Sequence, residues 1–466
     1  MIRAGRQDGT ISSTIEADGV RHVFFVSQSD SRKKFPEQFA ETLRSLDNIC
    51  KERGALVLMQ SVFLADCRDE AACRQIMRDS LDGDCRLFPD VVNCQSENAV
   101  PPGKRGLSPS RPRVVSPATS YIPQAPCTGG RFALEAWAIA PGDDAIEIER
   151  PTDDLAIARH GGMSWAFLAA RHPATAELKK GTDSEPNEER PAENGSQPRA
   201  CPLFQPASTY QHSLAGFQSA ESQLCENGFH FNDVLRTWLY LGDITGAEGE
   251  TLRYLELNRA RTDFYRGRKF VEKLVPPGWR RPVFPASTGI GTHGRQMAIG
   301  CIALKTERED VRVFPLENPQ QTAAYDYAHQ YGPDSPKFAR AMAVVTGDSV
   351  QTFISGTASI TASDTRHTDD LERQTQQTFD NIEVLISNDN FAQHGFPGMG
   401  ATLADVALAR VYLKHADDFA RAQAICEKRL AGTPALYVVG DVCREELLVE
   451  IEAIAFRKKG SGVFFS

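Results

Sequence analysis

Three stretches of this chain repeat one pattern. "VLMQSVFLAD" from Val57, "VLRTWLYLGD" from Val234 and "VALARVYLKH" from Val406 each read Val, four variable residues, Val or Leu, an aromatic, then Leu. Self-similarity of this kind is the signature of a fold assembled from copies of one supersecondary unit. The pattern suits a strand with one buried face. A helix-like segment follows each copy: "DEAACRQIMRDSL", "ETLRYLELNRARTDFY" and "DDFARAQAICEKRL". Each copy then ends on an apolar strand: "ALEAWAIA" (133–140), "MAIGCIAL" (297–304) and "LVEIEAIA" (448–455). A helix also precedes each key strand. "ETLRSLDNI" (41–49) matches "QTQQTFDNI" (374–382) in its Thr, Asp, Asn and Ile, and "SAESQLCENGF" is a weaker middle copy.

The expected fold is therefore α+β: three units, 1–145, 146–320 and 321–466, with helices packed on mixed β-sheets. Two stretches read as decoration. The segment 97–127 is a Pro- and Ser-rich loop on the first unit, and 176–200 is charged, nearly free of large apolar residues and reads as a mobile insertion in the second.

Composition removes several function classes. At 466 residues, 41% hydrophobic and 24% charged, the chain reads as globular and too long for one core. It has no run long and apolar enough for a membrane span and no apolar stretch at the start, so a cytoplasmic protein with no membrane partner is expected. Eleven scattered cysteines do not form a disulfide framework, and no CxxC or HxxxH spacing gathers a metal. No metal and no cofactor are expected. A net charge of −9 argues against a nucleic-acid partner, the basic "GKRGLSPSRPRVV" reading as a solvated loop.

"SGTASI", the helix "QTQQTFDNIEVLI" and the terminal "CREELLVEIEAIA" resemble the RidA (YjgF, endoribonuclease L-PSP) family, whose members are trimers with ligand sites between subunits. The resemblance is closer to the chorismatases, which are built from RidA-like units. "RTWLYLGDI", "YLELNRARTDFY", "FPASTGIGT", "YGPDSPKFARA", "SGTASI" and "DVCREELLVEIEA" are similar to that family's blocks in their order, covering 200–457. This implies a single-chain pseudo-trimer of RidA-like (chorismate-mutase-like) units, monomeric or a low-order homo-oligomer. Its clefts are not equivalent. Aligned on their shared Ile-Ala, the terminal strands place Glu450 against Glu135 and Ala298.

The resemblance implies a small carboxylate substrate, chorismate, converted to 3-hydroxybenzoate and pyruvate in the cleft between the second and third units. Protonation of the enolpyruvyl ether at its terminal carbon needs a general acid, and Glu450 in "VEIEA" is the candidate. A carboxyl group shielded from water keeps its proton near neutral pH. The two substrate carboxylates need donors, with Arg259, Arg261, Arg340 and Arg444 as candidates, joined by Tyr254 and Tyr331. Thr288 belongs to "FPASTGIGTHG" (284–294), a loop of small residues able to approach an anion. Its Gly289-x-Gly291 is not a dinucleotide fingerprint. Gly356 in a strand marks a close backbone approach. Gly356 and Cys443 together resemble the 3-hydroxybenzoate-forming branch rather than the hydrolytic one. His367 reads as a solvated loop residue.

One departure separates the chain from simple RidA imine deaminases: Ala435 or Leu436 stands where they carry a carboxylate-binding Arg. Two alternatives remain open. One is an enamine or imine deaminase using Glu135, and the other is a non-catalytic pseudo-trimer that binds a small carboxylate.

Overall fold

The computed structural model of the protein describes residues 3–7, 10–29, 34–82, 116–172, 208–328, 332–347 and 349–458. The first sheet comprises β1 (Arg3–Gln7), β2 (Thr10–Ala17), β3 (Val20–Gln28), β4 (Leu56–Leu64), β5 (Ala118–Ile122) and β6 (Phe132–Pro141). The second comprises β7 (Glu147–Thr152), β8 (Leu155–His160), β9 (Met163–Arg171), β10 (Val234–Gly242), β13 (Ala286–Thr292) and β14 (Met297–Thr306). A short ribbon, β11 (Ala247–Glu248) and β12 (Thr251–Leu252), interrupts it. The third contains β15 (Val311–Leu316), β16 (Ala341–Thr346), β17 (Ser349–Ala358), β20 (Val406–Leu413), β21 (Ala435–Val439) and β22 (Val449–Lys458), with a second ribbon, β18 (Ile360–Thr361) and β19 (Asp364–Thr365).

The strand orders are β1-β2-β3-β6-β4-β5, β7-β8-β9-β14-β10-β13 and β15-β16-β17-β22-β20-β21. These are one topology three times: an antiparallel meander, a last strand inserted beside its third member, and one parallel pair at the far edge. The repeat expected from the sequence is thus physical, and the fold is α+β with mixed sheets. The third sheet begins at Val311, within the segment 146–320 given to the second unit on sequence.

Two helices accompany each sheet. They are α1 (Phe35–Arg53) and α2 (Glu70–Asp82), α3 (Thr209–Glu226) and α4 (Arg253–Tyr265), and, in the third unit, α5 (Leu371–Ile386) and α7 (Phe419–Leu430), with the one-turn extension α6 (Asn388–Gln393) between them. Local chemistry sets their ends. Asp370 caps α5 by accepting from the Arg373 N–H, Ser208 and Gln211 form a capping box on α3, and Gly54 closes α1 in the left-handed region at φ 60°. Along α5, Leu371, Thr375, Thr378, Phe379, Ile382 and Ile386 are buried at helical spacing, the apolar stripe that holds it on the sheet.

The repeated strands differ from the expectation of one buried face. β10 and β20 are buried along their whole length. Helices cover one face, and the other meets the neighbouring sheets: Trp137 of the first lies 6.3 Å from Phe353 of the third, and Trp165 of the second lies 6.4 Å from the same ring. A fully buried ring contributes about 2–3 kcal/mol, so this inner contact is a core in its own right.

Two further expectations are corrected. The decorating loop 97–127 contains β5, which pairs in parallel with β4; its Pro-rich flanks hide a five-residue strand. The loop at 284–294 contains β13, the equivalent edge strand of the second sheet. Gly291 is packed too tightly against Asp441 and Ile244 for a Cβ, so its smallness serves packing rather than a turn. The insertion 176–200 lies outside the described residues, as does 97–115 of the first loop.

Candidate active site

The registers align the three units residue by residue. Each middle strand carries a bulge at the same place, between Val57 and Met59, Val234 and Arg236, and Val406 and Leu408. Counting from it, Phe63 pairs with Ala133, Tyr240 with Ala298 and Tyr412 with Glu450. Two residues further along, Ser61 pairs with Glu135, Trp238 with Gly300 and Arg410 with Glu452. Glu135 is therefore the counterpart of Glu452, not of Glu450. The Ile-Ala alignment slipped by two in the first unit alone: opposite the bulge stand Ile302-Ala303 and Ile454-Ala455 in the second and third sheets but Trp137-Ala138 in the first, while the match of Glu450 with Ala298 holds. Of the three units, the third alone has an acid at the Glu450 position.

Glu450 lines a cleft of about 570 Å³ between the second and third sheets. One wall is α4 and β13 with Tyr254, Leu255, Arg261, Ser287 and Gly289; the other carries Tyr327, Phe338, Arg340, Gly356, Ile360, Cys443 and Arg444. The strand β22 is central in its sheet, so Glu450 is only 5% exposed. Burial, with repulsion from the Glu452 carboxylate, pushes it up to about 8 against the pull of Arg236 and Arg340. At neutral pH it holds its proton.

Gly356 is the position that lets the carboxyl sit there. A Cβ on it would overlap Glu450 Oε1, and its N–H donates to Thr288 Oγ1 at 3.0 Å. Cys443 is pushed up to about 11, by burial first and then by Glu450, so it is a neutral thiol beside a neutral acid. Burial likewise raises Tyr254, whose ring stands over Gly289 where an added Cβ would just touch it.

The cationic residues divide. Arg340 donates to Tyr327 Oη at 2.6 Å and Arg261 to Asn258 Oδ1 at 2.6 Å, and each keeps a buried Nε with no partner. Two desolvated guanidinium donors in one cleft suit a carboxylate ligand. Arg444 donates to the Ser363 carbonyl at 2.9 Å and faces the Tyr327 ring. Arg259 does not join them: it is half exposed, pairs with Glu256 at 2.8 Å and lies over Tyr210. Its place on α4 turns it outward although Arg261, two residues on, turns inward. Thr288 is behind the cleft, bonded to Arg236, Glu452 and the Gly356 N–H. Tyr331 lies outside the described residues. His367 is exposed, with φ 58°.

Sequence reasoning passed over Tyr327, Phe338 and Ser287. The signal for the first two is the aromatic- and Pro-containing run 325–338 leading into Arg340, a pattern that packs rings around a guanidinium: Phe338 lies 5.7 Å from Arg261 and 5.4 Å from Arg340. Among the described residues no cluster of His, Cys, Asp and Glu is placed to hold a metal ion, and no helix is long and apolar enough to cross a membrane.

No family model matches the chain. It is 36% identical over 233 residues to a 3-hydroxybenzoate synthase of Streptomyces hygroscopicus, covering 48% of this chain and 64% of that protein. It is 37% identical over 224 residues to a chorismatase of the same organism, covering 47% and 61%. The chain thus spans less than two thirds of these relatives' lengths. A chorismatase crystal structure superposes with a TM-score of 0.55 at 20% identity, covering 86% of this chain and 93% of that one. Over about half its length the chain is a homologue of the chorismatases and 3-hydroxybenzoate synthases, and over most of it the chain has the chorismatase fold.

Proposed function

We propose that the protein is an enzyme converting chorismate to 3-hydroxybenzoate and pyruvate in the cleft around Glu450. The observation that carries this reading is a buried carboxyl, pushed up to about 8, in a cleft with two guanidinium groups whose Nε donors are unpaired. Its relatives' names give the substrate class, and the site's chemistry is what that substrate needs.

Glu450 donates its proton to the terminal methylene carbon of the enolpyruvyl ether, which leaves an oxocarbenium ion at the ether carbon. Arg261 and Arg340 hold the substrate carboxylates, offsetting the cost of removing them from water. Tyr254 and Tyr327 complete the polar wall. The neutral Cys443 and the bare Gly356 leave room next to the acid for an intramolecular route, in which the substrate's own atoms capture the cation. The two products together have the atoms of chorismate, so no co-reactant is required. A cleft walled by Phe338, Leu255 and Ile360 keeps bulk water from competing.

Against the deaminase alternative, placed on Glu135 at the first-unit cleft, speaks the pairing of that carboxylate with Arg410 in the interior. To test the proposal, purified protein and its Glu450→Ala variant are incubated with chorismate while pyruvate and aromatic products are followed by chromatography. Release of both by the parent is expected, with a loss of at least about a hundredfold in the variant. Tight binding of chorismate without turnover would instead support a binding protein, and neither binding nor turnover would remove the reading altogether.

A further inference from the structure

Resting on that reading, a second carboxylate calls for explanation. Glu452 is two residues beyond Glu450 on the same face of β22. It is 4% exposed, accepts from Arg236 Nη2 at 2.6 Å, Trp238 Nε1 at 2.9 Å and the Thr288 hydroxyl, and forms an ion pair with Arg410 Nη1 at 3.0 Å. Arg410 in turn grips Glu135 of the first sheet, with Nε at 2.6 Å, and donates to Tyr240 Oη at 2.8 Å. The result is a buried array in which residues of all three sheets fix one negative charge beside the acid. Burial opposes that charge, yet Arg236, Arg410, Thr288 and Trp238 hold Glu452 below the ordinary carboxylate value.

The other units show that the array is not required to build the fold. At the Arg236 position the first and third sheets have Met59 and Leu408, and at the Glu452 position the second has Gly300. Nor does any other terminal strand pair two acids: next to Glu135 stands Ala133. The two-acid arrangement occurs where the cleft is.

We propose that Glu452 is a positioning residue for Glu450: its fixed negative charge, held in place by Arg236 and Arg410, keeps the proton on Glu450 until the substrate takes it. The charged and titratable groups around Glu450 are Glu452 on its own strand, Arg236 on β10, Arg340 ahead of β16, Tyr254 on α4, Tyr412 across the ladder on β20, and Cys443, itself beside Arg444. Two of them act oppositely on the proton and lie away from the cleft wall. Glu452 retains it and Arg236 loosens it.

The test is the pH dependence of kcat/KM for the parent, Glu452→Gln and Arg236→Met, together with an infrared titration of the Glu450 carboxyl in substrate-free protein, assigned by Glu450→Gln. The alkaline limb, where the acid loses its proton, is expected to move down by about one pH unit or more in Glu452→Gln and up in Arg236→Met, with the infrared titration moving alike. A merely structural role would lower activity in both without moving the limb in opposite directions. Unmoved limbs, or shifts of the same sign, overturn the proposal. Should Glu452→Gln not fold, Arg236→Met decides by the sign of its shift. Turnover retained in Glu450→Gln would sink the general-acid reading, whereas the infrared titration would still decide whether Glu452 governs that carboxyl.

Discussion

Gly356 and Glu450 form a matched pair of residues: one gives up its side chain so that the other's carboxyl can stand against the backbone of β17. Gly356→Ala is therefore expected to displace the acid and lower kcat by roughly a hundredfold, since a shift of about 1 Å at a reacting group has that effect; chorismate turnover alongside a thermal melt separates misplacement from unfolding. The raised acid also has a thermodynamic signature. Between about 4.5, its ordinary value, and about 8, the folded protein keeps a proton that the unfolded chain has released. Stability linked to Glu450 therefore falls as pH rises through that window, and each unit of displacement is about 1.4 kcal/mol. Glu450→Gln is expected to be more stable than the parent at pH 8 and to lose the advantage near pH 4, which paired thermal denaturation curves at the two pH values would check. Glu450 was legible in the sequence because the "VEIEA" motif carries a resemblance. The direction of each arginine was not, because whether Arg259 or Arg261 faces inward depends on how α4 is rotated on its sheet, which no local pattern fixes.

Among the elements, the edge strands β5, β13 and β21 differ in one telling way. Tyr121 pairs with Val62 and Tyr437 with Val411, while at the corresponding place Gly289 pairs with Leu239. The two tyrosines pack toward their own helices, Tyr121 beneath Arg74 and Tyr437 against Phe419. In the second sheet the ring comes instead from α4, as Tyr254, and lies over the bare Gly289. Gly289 has room for a Cβ, but the ring of Gly289→Tyr would compete with Tyr254 for the cleft wall and is expected to reduce kcat/KM by about a hundredfold, with a thermal melt alongside to separate displacement of Tyr254 from unfolding. The helices and long strands were readable in advance: the helix read from "QTQQTFDNIEVLI" is the body of α5, which its Asp370 cap starts three residues earlier, at Leu371. The edge strands were misread as loops, because β5 and β13 are short, rich in Ser, Thr, Gly or flanked by Pro, and owe their extended form to parallel pairing with residues far away in the chain.

At the scale of the whole molecule, the three sheets enclose a polar centre as well as an aromatic one. The array from Glu135 through Arg410 to Glu452 and Arg236 crosses the interface that a plain repeat would fill with apolar side chains. That threefold architecture was visible in the spacing of Val57, Val234 and Val406. The centre was not, since its members lie in three units and are joined only when the registers are known. Short links, 142–146 between the first and second sheets and 307–310 between the second and third, join the sheets, and both walls of the cleft belong to one polypeptide: Tyr254, Gly289, Gly356 and Glu450 are covalently linked in sequence. In an assembly of separate chains a pocket between units exists only while its members stay associated, and it vanishes on dilution by mass action. Here the opposing wall is present at a fixed local concentration set by the linking backbone, so this cleft persists however dilute the protein becomes.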